Sequence, residues 1–330
     1  MRIDSSAPTR IDLAGGTFDI WPLYLFHDRA QTINAAISLR AHCSLTARPG
    51  HAITLVSDDT GESVDASGPD DLGLDRLPLL ARLVRHFGAR GLELRTRSES
   101  PVGAGIGGSS ALTIAVAAAL ARWTDRALVD DELLAVAMNI EAQLLGVPTG
   151  VQDYRPAFYG GVSRVEMDAA GVRRRALRVD LDDLGGRVVV AYTGASRNSG
   201  INNWDVMARR INGDPAVIEA FDGIRDEAAG LAHALEAGRW ADVAGHVTRE
   251  WHHRKHLAPG VTTPEIDQLL SRATAAGAVA GKVCGAGGGG CLFCLVDPAR
   301  RDEVADALVA GGATVLPVAI EADGLRVTRT

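Results

Sequence analysis

The sequence predicts an α+β protein of two domains, residues 1–170 and 171–330, in which mixed sheets pack with helices and a cleft separates the halves. Three observations support this prediction. The 330 residues exceed what one hydrophobic core usually supports. Strand-like and helix-like patterns are mixed along the whole chain. Two glycine-rich loops each adjoin a strand pattern.

The first hundred residues indicate mainly strands and turns, with one helix. Residues 33–47 alternate in parts like a β-strand, and Pro49-Gly50 marks the turn that follows. Residues 77–87 place four apolar side chains on one face of a helix. Residues 92–96 then alternate like a half-buried strand.

A glycine-rich loop at 101–108 joins that strand to a long apolar helix over about 109–123. Asp130 and Asp131 occupy a position typical of a helix N-cap. The helix that they open should end near residue 145, because glycines and a proline follow.

The second half indicates strands, then helices, then strands again. Paired glycines punctuate a strand-rich middle, and residues 215–256 have a helical pattern. The remaining expected elements are a buried strand at 187–192, a second glycine-rich loop at 285–290, a strand at 291–296, a helix near 299–310 and two short strands at the end.

Composition and charge exclude several classes of protein. The net charge is −7, and no long basic run supplies the electrostatic footprint of nucleic-acid binding. No apolar run has the length of a membrane span, and the first residues do not resemble a signal peptide. Four cysteines are few for a secreted disulfide scaffold. We expect a cytoplasmic protein that binds neither nucleic acid nor membrane; nothing in the sequence indicates its oligomeric state.

The segment from Pro101 to Ser110 has the composition of a phosphate-binding loop. Its glycines let backbone amides approach a ligand closely, and the helix that follows supplies the positive end of its dipole. No lysine follows the last glycine, so this is not a Walker A loop. Gly103, Gly105 and Gly108 fit the G-x-G-x-x-G of dinucleotide-binding proteins, but the window that should hold an acidic residue at a strand end is the apolar helix. A turn that binds nothing is the other alternative.

Glu141 and Asp153 are candidate carboxylates for phosphoryl transfer. They are 12 positions apart with a turn between them, so only tertiary folding can bring them together. Phosphoryl transfer needs one carboxylate to hold Mg²⁺ and another to accept or orient the substrate hydroxyl. On spacing alone, a solvated surface position is the simpler interpretation of each residue.

Three segments together resemble the sequence motifs of the GHMP kinase superfamily. They are Ala7–Asp19 (APTRIDLAGGTFD), the loop at 101–110 and Lys282–Gly290 (KVCGAGGGG), and they occur in the order of that family. The similarity is closest to its sugar kinases. Arg-Ile-Asp-Leu-Ala-Gly-Gly in the first segment resembles fucokinases and D-glycero-D-manno-heptose 7-phosphate kinases, and Gly150-Val-Gln-Asp153 resembles their G-x-Q-D.

The resemblance implies an ATP- and Mg²⁺-dependent kinase that phosphorylates a hydroxyl of a sugar or sugar phosphate, with the N-terminal domain binding ATP. Ser110 and Glu141 would hold Mg²⁺. Asp153 would face the substrate hydroxyl as base or orienting group, and Arg10 would stabilise the transferring phosphoryl group. The ATP phosphates would be wrapped by Gly103, Ala104, Gly105, Ile106, Gly107, Gly108, Ser109 and Ser110.

The same resemblance implies the substrate contacts. Asp19 would hydrogen-bond sugar hydroxyls, beside Gly16 and Thr17. Lys255 matches a basic position of the heptose kinases. Arg197, in a polar loop after a buried strand, is either a clamp for a phosphate or hydroxyl or part of an ordinary turn.

The sequence departs from the sugar kinases where the substrate should be recognised. Thr17-Phe18 replaces the Gly-Thr of the heptose kinases and the Trp-Thr or Trp-Ser of the fucokinases. The identity of the sugar therefore stays open. So do other functions: another small-molecule kinase or an ATP-dependent decarboxylase of this superfamily, a non-catalytic ligand sensor with the same fold, and a nicotinamide dehydrogenase.

Three further features have simple structural interpretations. Lys282 precedes the second glycine-rich loop and is either a residue that approaches the phosphates or, more simply, a solvated lysine. Cys291 and Cys294 are expected to be buried thiols, because a zinc site needs a second pair. His252 and His256 have metal-like spacing, but no acidic third ligand lies near them in the sequence, which favours a surface helix.

Overall fold

The computed structural model describes residues 1–147, 149–195 and 199–330, and only the backbone of residues 199–202. The strands are β1 (Arg2–Ala14), β2 (Ala30–Ala47), β3 (Ile53–Ser57), β4 (Glu62–Ala66), β5 (Leu92–Ser98), β6 (Val162–Asp168), β7 (Gly171–Ala176), β8 (Val188–Tyr192), β9 (Ala278–Val283), β10 (Cys291–Val296), β11 (Thr314–Leu316) and β12 (Arg326–Arg329). The α-helices are α1 (Pro78–Phe87), α2 (Gly108–Trp123), α3 (Asp130–Leu145), α4 (Tyr154–Tyr159), α5 (Leu181–Arg187), α6 (Ser199–Ile211), α7 (Pro215–Glu236), α8 (Trp240–Lys255), α9 (Pro264–Ala275) and α10 (Arg301–Ala310).

The first sheet is built around the long strand β2. Its residues 41–47 pair with β5 and its residues 30–35 pair with β6, while β1 runs antiparallel along the other edge. The sheet has the order β12-β1-β2-β5-β3-β4, with β6 and β7 extending from β2. Only β3 and β5 are parallel. This arrangement places the end of β1 and the loops after β3 and β5 on the same side as the start of α2, where they line one cavity.

Helix α2 is almost fully buried because its sequence is apolar on every side. Its fully buried side chains are all small or aliphatic, and it packs against β1, β2, α1, α3 and α4. A helix that is apolar all round is stable only inside a core. The packing therefore fixes the position of the glycine-rich loop from which α2 begins.

The second sheet has the order β11-β8-β10-β9 and is antiparallel throughout. Helix α8 contacts β9 of this sheet and β1 of the first sheet, and α7 packs against α8, β1 and β2. One hydrophobic core spans both sheets, since Ile11 and Ile33 of the first belong to the same cluster as Val190 and Phe293 of the second. The division into residues 1–170 and 171–330 stays a prediction, and β7 and β12, which lie beyond residue 170, pair with strands of the first sheet.

Most predicted elements are confirmed. The strands expected at 33–47, 92–96, 187–192 and 291–296 are β2, β5, β8 and β10, and the helices expected at 77–87, 109–123 and 299–310 are α1, α2 and α10.

Some local expectations were wrong. Asp130 and Asp131 lie inside α3, whose N-cap is Val129; the Val129 N–H donates to the Glu132 carboxylate at 3.3 Å. The helical pattern at 215–256 is confirmed, but it forms two helices, α7 and α8, and Gly238 in the connection between them has φ +65°. The short helices α4 and α5 were not expected. In the described part of the chain, no helix is both long and apolar enough to cross a membrane.

Candidate active site

A cavity of about 640 Å³ opens beside the N-terminus of α2. Its walls come from the ends of β1, β3 and β5, the start of α2, the connection between α3 and α4, and the second glycine-rich loop. The predicted residues that line it are Arg10, Thr17, Asp19, Gly103, Ala104, Gly105, Gly107, Gly108, Ser109, Ser110, Glu141 and Asp153.

The glycine-rich loop presents its backbone to the cavity. Gly107 is the N-cap of α2 with φ +75°, a left-handed conformation that favours glycine. The Ile106 side chain is buried in the core, so this residue takes part only through its backbone, and its carbonyl accepts a bond from the Arg10 amide at 2.9 Å. The second loop supports the first, since the Cys291 amide donates to the Ala104 carbonyl at 2.6 Å. The start of α2 thus faces the cavity with free helical amides.

Glu141, Ser110 and Tyr154 form a buried group at the start of α2. Ser110 Oγ donates to Glu141 Oε2 at 2.9 Å, and the Tyr154 hydroxyl donates to the same oxygen at 2.7 Å. Burial raises the pKa of the Glu141 carboxyl, although these hydrogen bonds act against the rise. Burial and the nearby Glu141 raise the pKa of Tyr154 well above its usual range. The surface interpretation of Glu141 was wrong, and the role of Tyr154 was missed.

Arg10 and Asp153 form an ion pair on the wall of the cavity. Nε and Nη2 of Arg10 lie 2.8 and 2.6 Å from Asp153 Oδ1. Nη1 of Arg10 donates to the carbonyls of Gly105 and Cys284, at 2.8 and 2.7 Å. The arginine is buried, whereas the Asp153 side chain is 22% exposed toward the cavity. The guanidinium therefore holds both glycine-rich loops and orients the Asp153 carboxylate. The interpretation of Asp153 as a solvated surface residue did not predict this ion pair.

Asp19 is buried beside Asp153. Its Oδ2 accepts a hydrogen bond from the Gln152 amide at 3.0 Å, and the β-carbon of any residue larger than glycine at position 150 would lie 1.8 Å from that oxygen. Gly150 is therefore required by close approach. Burial, reinforced by the negative charge of Asp153, raises the pKa of Asp19 to about 6.

The loop before Asp19 contains Gly16 and Thr17. Thr17 lines the cavity and has φ +75°, which is strained for a β-branched residue. Gly16 does not line the cavity: it covers Asp12 and Arg254, and an added β-carbon there would lie 2.1 Å from Asp12 Oδ2. Arg254, which the sequence analysis did not single out, does line the cavity.

Lys255 and Lys282 do not line this cavity. Lys255 lines a separate cavity of about 370 Å³ between α8, α9 and β9, and its ammonium lies 5.9 Å from the centroid of the Trp251 ring. Arg197 lies outside the described residues. Lys282 is fully buried in β9, so the expectation that it is solvated was wrong.

The expectation of buried thiols holds for the cysteines, and His252 and His256 are exposed, as expected of a surface helix. Cys291 and Cys294 are buried and form no disulfide. Within the described ranges, no group of three or more His, Cys, Asp or Glu side chains could hold a metal ion, and that includes the histidines of α8.

Comparison with known proteins identifies the family of this chain. Residues 77–161 match the family described as GHMP kinases N terminal domain, and residues 231–314 match GHMP kinases C terminal. The chain is 31% identical over 317 residues to D-glycero-alpha-D-manno-heptose 7-phosphate kinase of Campylobacter jejuni, with 93% of each protein covered. The chain belongs to the GHMP kinase family. This confirms the family resemblance and the α+β two-domain fold of a GHMP kinase.

Two further relatives show how the similarity is distributed within the GHMP kinases. The crystal structure of a D-glycero-D-manno-heptose 1-phosphate kinase from Bacteroides thetaiotaomicron superposes with a TM-score of 0.81 at 26% identity, covering 99% of each chain. The mevalonate kinase of Thermococcus onnurineus is 29% identical over 250 residues, which is 72% of this chain and 69% of that protein. These relatives are phosphotransferases, and so is this chain. The dehydrogenase alternative has no support among them.

Proposed function

We propose that this GHMP kinase transfers the γ-phosphoryl group of Mg²⁺-ATP to a hydroxyl of a D-glycero-D-manno-heptose phosphate in the cytoplasm. Identity to the heptose 7-phosphate kinase is 31% over 93% of both chains, whereas mevalonate kinases are 26–30% identical over 72–88% of this chain. The observation that carries the proposal is the Arg10–Asp153 pair, which lies between the glycine-rich loop and Asp19 in one cavity.

The residues around Glu141 fit a magnesium ion. Mg²⁺ is usually held by one or two carboxylates, hydroxyls and substrate phosphates, and the buried Glu141 carboxylate with Ser110 Oγ 2.9 Å away offers such oxygen ligands. When bound, Mg²⁺ neutralises charge on the phosphate oxygens during transfer. Tyr154 keeps the Glu141 carboxylate in place through its 2.7 Å hydrogen bond.

The backbone of residues 103–110 would bind the ATP phosphates at the positive end of α2. Asp153 would accept a hydrogen bond from the attacking hydroxyl and orient it in line with the γ-phosphorus. Because two nitrogens of the Arg10 guanidinium contact Asp153 Oδ1, the carboxylate is preorganised for that hydrogen bond. Arg10 also brings positive charge next to the transferring group.

Asp19 and Thr17 would contact the sugar. Asp19 has one carboxylate oxygen committed to the Gln152 amide, which leaves the other to accept hydrogen bonds from sugar hydroxyls. Hydrogen bonds that sugar hydroxyls donate to a buried carboxylate discriminate strongly between hydroxyls that are present and hydroxyls that are missing.

The test measures ADP release by the purified protein with Mg²⁺-ATP and four acceptors: D-glycero-D-manno-heptose 7-phosphate, the corresponding 1-phosphate, fucose and mevalonate. We expect turnover with a heptose phosphate and none when EDTA removes the metal. Asp153→Asn should lower kcat at least 1,000-fold, about 4 kcal/mol in activation free energy, while ATP affinity stays within threefold of the wild type. Asp302→Asn, on the exposed face of α10, is the matched control.

Two results would refute this proposal. One is ADP release with mevalonate but with no sugar or sugar phosphate, which would assign a different substrate. The other is undiminished turnover by Asp153→Asn, which would remove that carboxylate from the reaction.

A further inference from the structure

Four charged side chains lie fully buried behind the loop that carries Gly16 and Thr17. Asp12 comes from β1, Glu250 and Arg254 come from α8, and Lys282 comes from β9; each is at most 1% exposed. Two are acidic and two are basic, so their formal charges cancel. We call these residues the buried quartet.

Arg254 is the centre of the quartet. Its Nη2 donates to Asp12 Oδ2 at 2.8 Å and to Glu250 Oε1 at 2.9 Å, and its Nε donates to the same Glu250 oxygen at 3.0 Å. Lys282 Nζ lies 2.7 Å from the other oxygen of Glu250. Burial by itself raises the pKa of Glu250, but the charges of Arg254 and Lys282 outweigh this and lower the pKa overall.

The quartet also holds backbone on two sides of the cavity. Glu250 Oε1 accepts a hydrogen bond from the Gly15 amide at 3.1 Å, and Arg254 Nη1 donates to the Gly285 carbonyl at 3.2 Å. Gly16 covers the guanidinium so closely that an added β-carbon would lie 2.5 Å from Nη2. Arg254 therefore touches both the loop that precedes Asp19 and the second glycine-rich loop.

Burying ionised groups carries a large desolvation cost, and apolar residues of similar volume often give equal or greater stability. A buried ion cluster is thus a poor device for stability alone. What it offers is geometry, because a guanidinium presents five donors in a rigid plane whereas an ammonium does not. Four of the five donors of Arg254 are assigned by the contacts above.

From these contacts we infer that Arg254 is a positioning residue, which sets the conformation of residues 15–19 against the second glycine-rich loop and so determines how the sugar is held. This inference rests on the proposed function for its kinetic consequence. Its structural consequence, the ordering of residues 15–19, does not depend on the substrate.

Arg254→Lys is the informative variant, since it keeps the charge balance of the quartet but cannot make the same set of planar contacts. Arg40→Lys is the matched control: Arg40 is also buried and donates to Ser6 and to the carbonyls of Asp323 and Gly324, but it does not line the cavity. Thermal melting reports whether the two variants lose similar stability. A second variant, Arg254→Met with Asp12→Asn, preserves net charge if the lysine variant fails to fold.

We expect Arg254→Lys to raise the KM for the heptose phosphate at least tenfold, while the KM for ATP changes less than threefold. Amide hydrogen exchange at residues 15–19 should accelerate at least tenfold in this variant and stay unchanged in Arg40→Lys. Unchanged exchange at residues 15–19 together with an unchanged sugar KM would overturn the inference, as would equal effects in Arg40→Lys. If the wild type phosphorylates no sugar, the proposed function fails, and hydrogen exchange alone decides the positioning role.

Discussion

Replacing Asp19 by asparagine should make the protein more stable at neutral pH while weakening its binding of sugar. Asp19 is buried beside Asp153, and burial raises its pKa to about 6 from the ordinary value of 3.8. The folded state therefore binds a proton more tightly than the unfolded state does. Between these two pKa values the folded protein holds more protons, so the free energy of unfolding falls as the pH rises.

The size of the effect follows from the interval between 3.8 and about 6. At about 1.4 kcal/mol per pKa unit, ionised Asp19 lowers the free energy of unfolding by about 3 kcal/mol above pH 7. About 1.5 kcal/mol of this accrues between pH 5 and pH 8, because the unfolded carboxyl is already ionised at pH 5. Asparagine keeps an oxygen for the Gln152 amide and does not ionise.

The assay is urea unfolding followed by tryptophan fluorescence at pH 5, 6, 7 and 8 for the wild type, Asp19→Asn and the exposed control Asp302→Asn. The difference in unfolding free energy between Asp19→Asn and the wild type should grow by about 1.5 kcal/mol in favour of the variant from pH 5 to pH 8. A difference that is constant across this range would refute the assignment of a raised pKa to Asp19. The KM for the heptose phosphate should rise in the same variant.

Two further predictions concern the loops of the cavity. Thr17→Gly should raise the free energy of unfolding by about 1 kcal/mol, because it removes the backbone strain of a β-branched residue at φ +75°. A variant that is less stable in urea unfolding would contradict this. Glu141→Gln should need at least tenfold more Mg²⁺ for half-maximal ADP release. Glutamine removes the charge that attracts the ion, although it can still accept the hydrogen bond from Tyr154. An unchanged Mg²⁺ dependence would place the metal elsewhere.

The sequence motifs predicted the main cavity well because their physical requirements are local. A glycine-rich loop that opens an apolar helix specifies its own geometry, and residues 103–110 apart from Ile106 line the cavity. Arg10 was found only through resemblance, and its pairing with Asp153 was not predicted, since 143 positions separate the two partners and no periodicity links them. The role of Tyr154 was missed, because its bond to Glu141 depends on how α3 and α4 pack.

The buried quartet was missed because charge normally indicates exposure. Two signals in the sequence could have revealed it. Glu250 and Arg254 are spaced i, i+4 on one helix. Lys282 alternates with Ala278 and Ala280 on the inner face of β9, which marks it as an inward-pointing residue. Neither signal identifies Asp12 as the partner, because that contact joins elements 242 positions apart.

The contacts that join the two halves of the molecule are also those that order the cavity. Arg10 of β1 reaches the carbonyl of Cys284, and Arg254 of α8 reaches Asp12 of β1. Each arginine donates hydrogen bonds to residues of both halves. A shift of one half against the other would therefore disturb the Asp153 carboxylate and residues 15–19 at the same time. Asp19 differs from the two arginines, because its ionised carboxylate lowers the stability of the fold while it provides a hydrogen-bond acceptor for the sugar. Substitutions at the arginines should therefore lower stability and activity together, whereas substitution at Asp19 should separate the two.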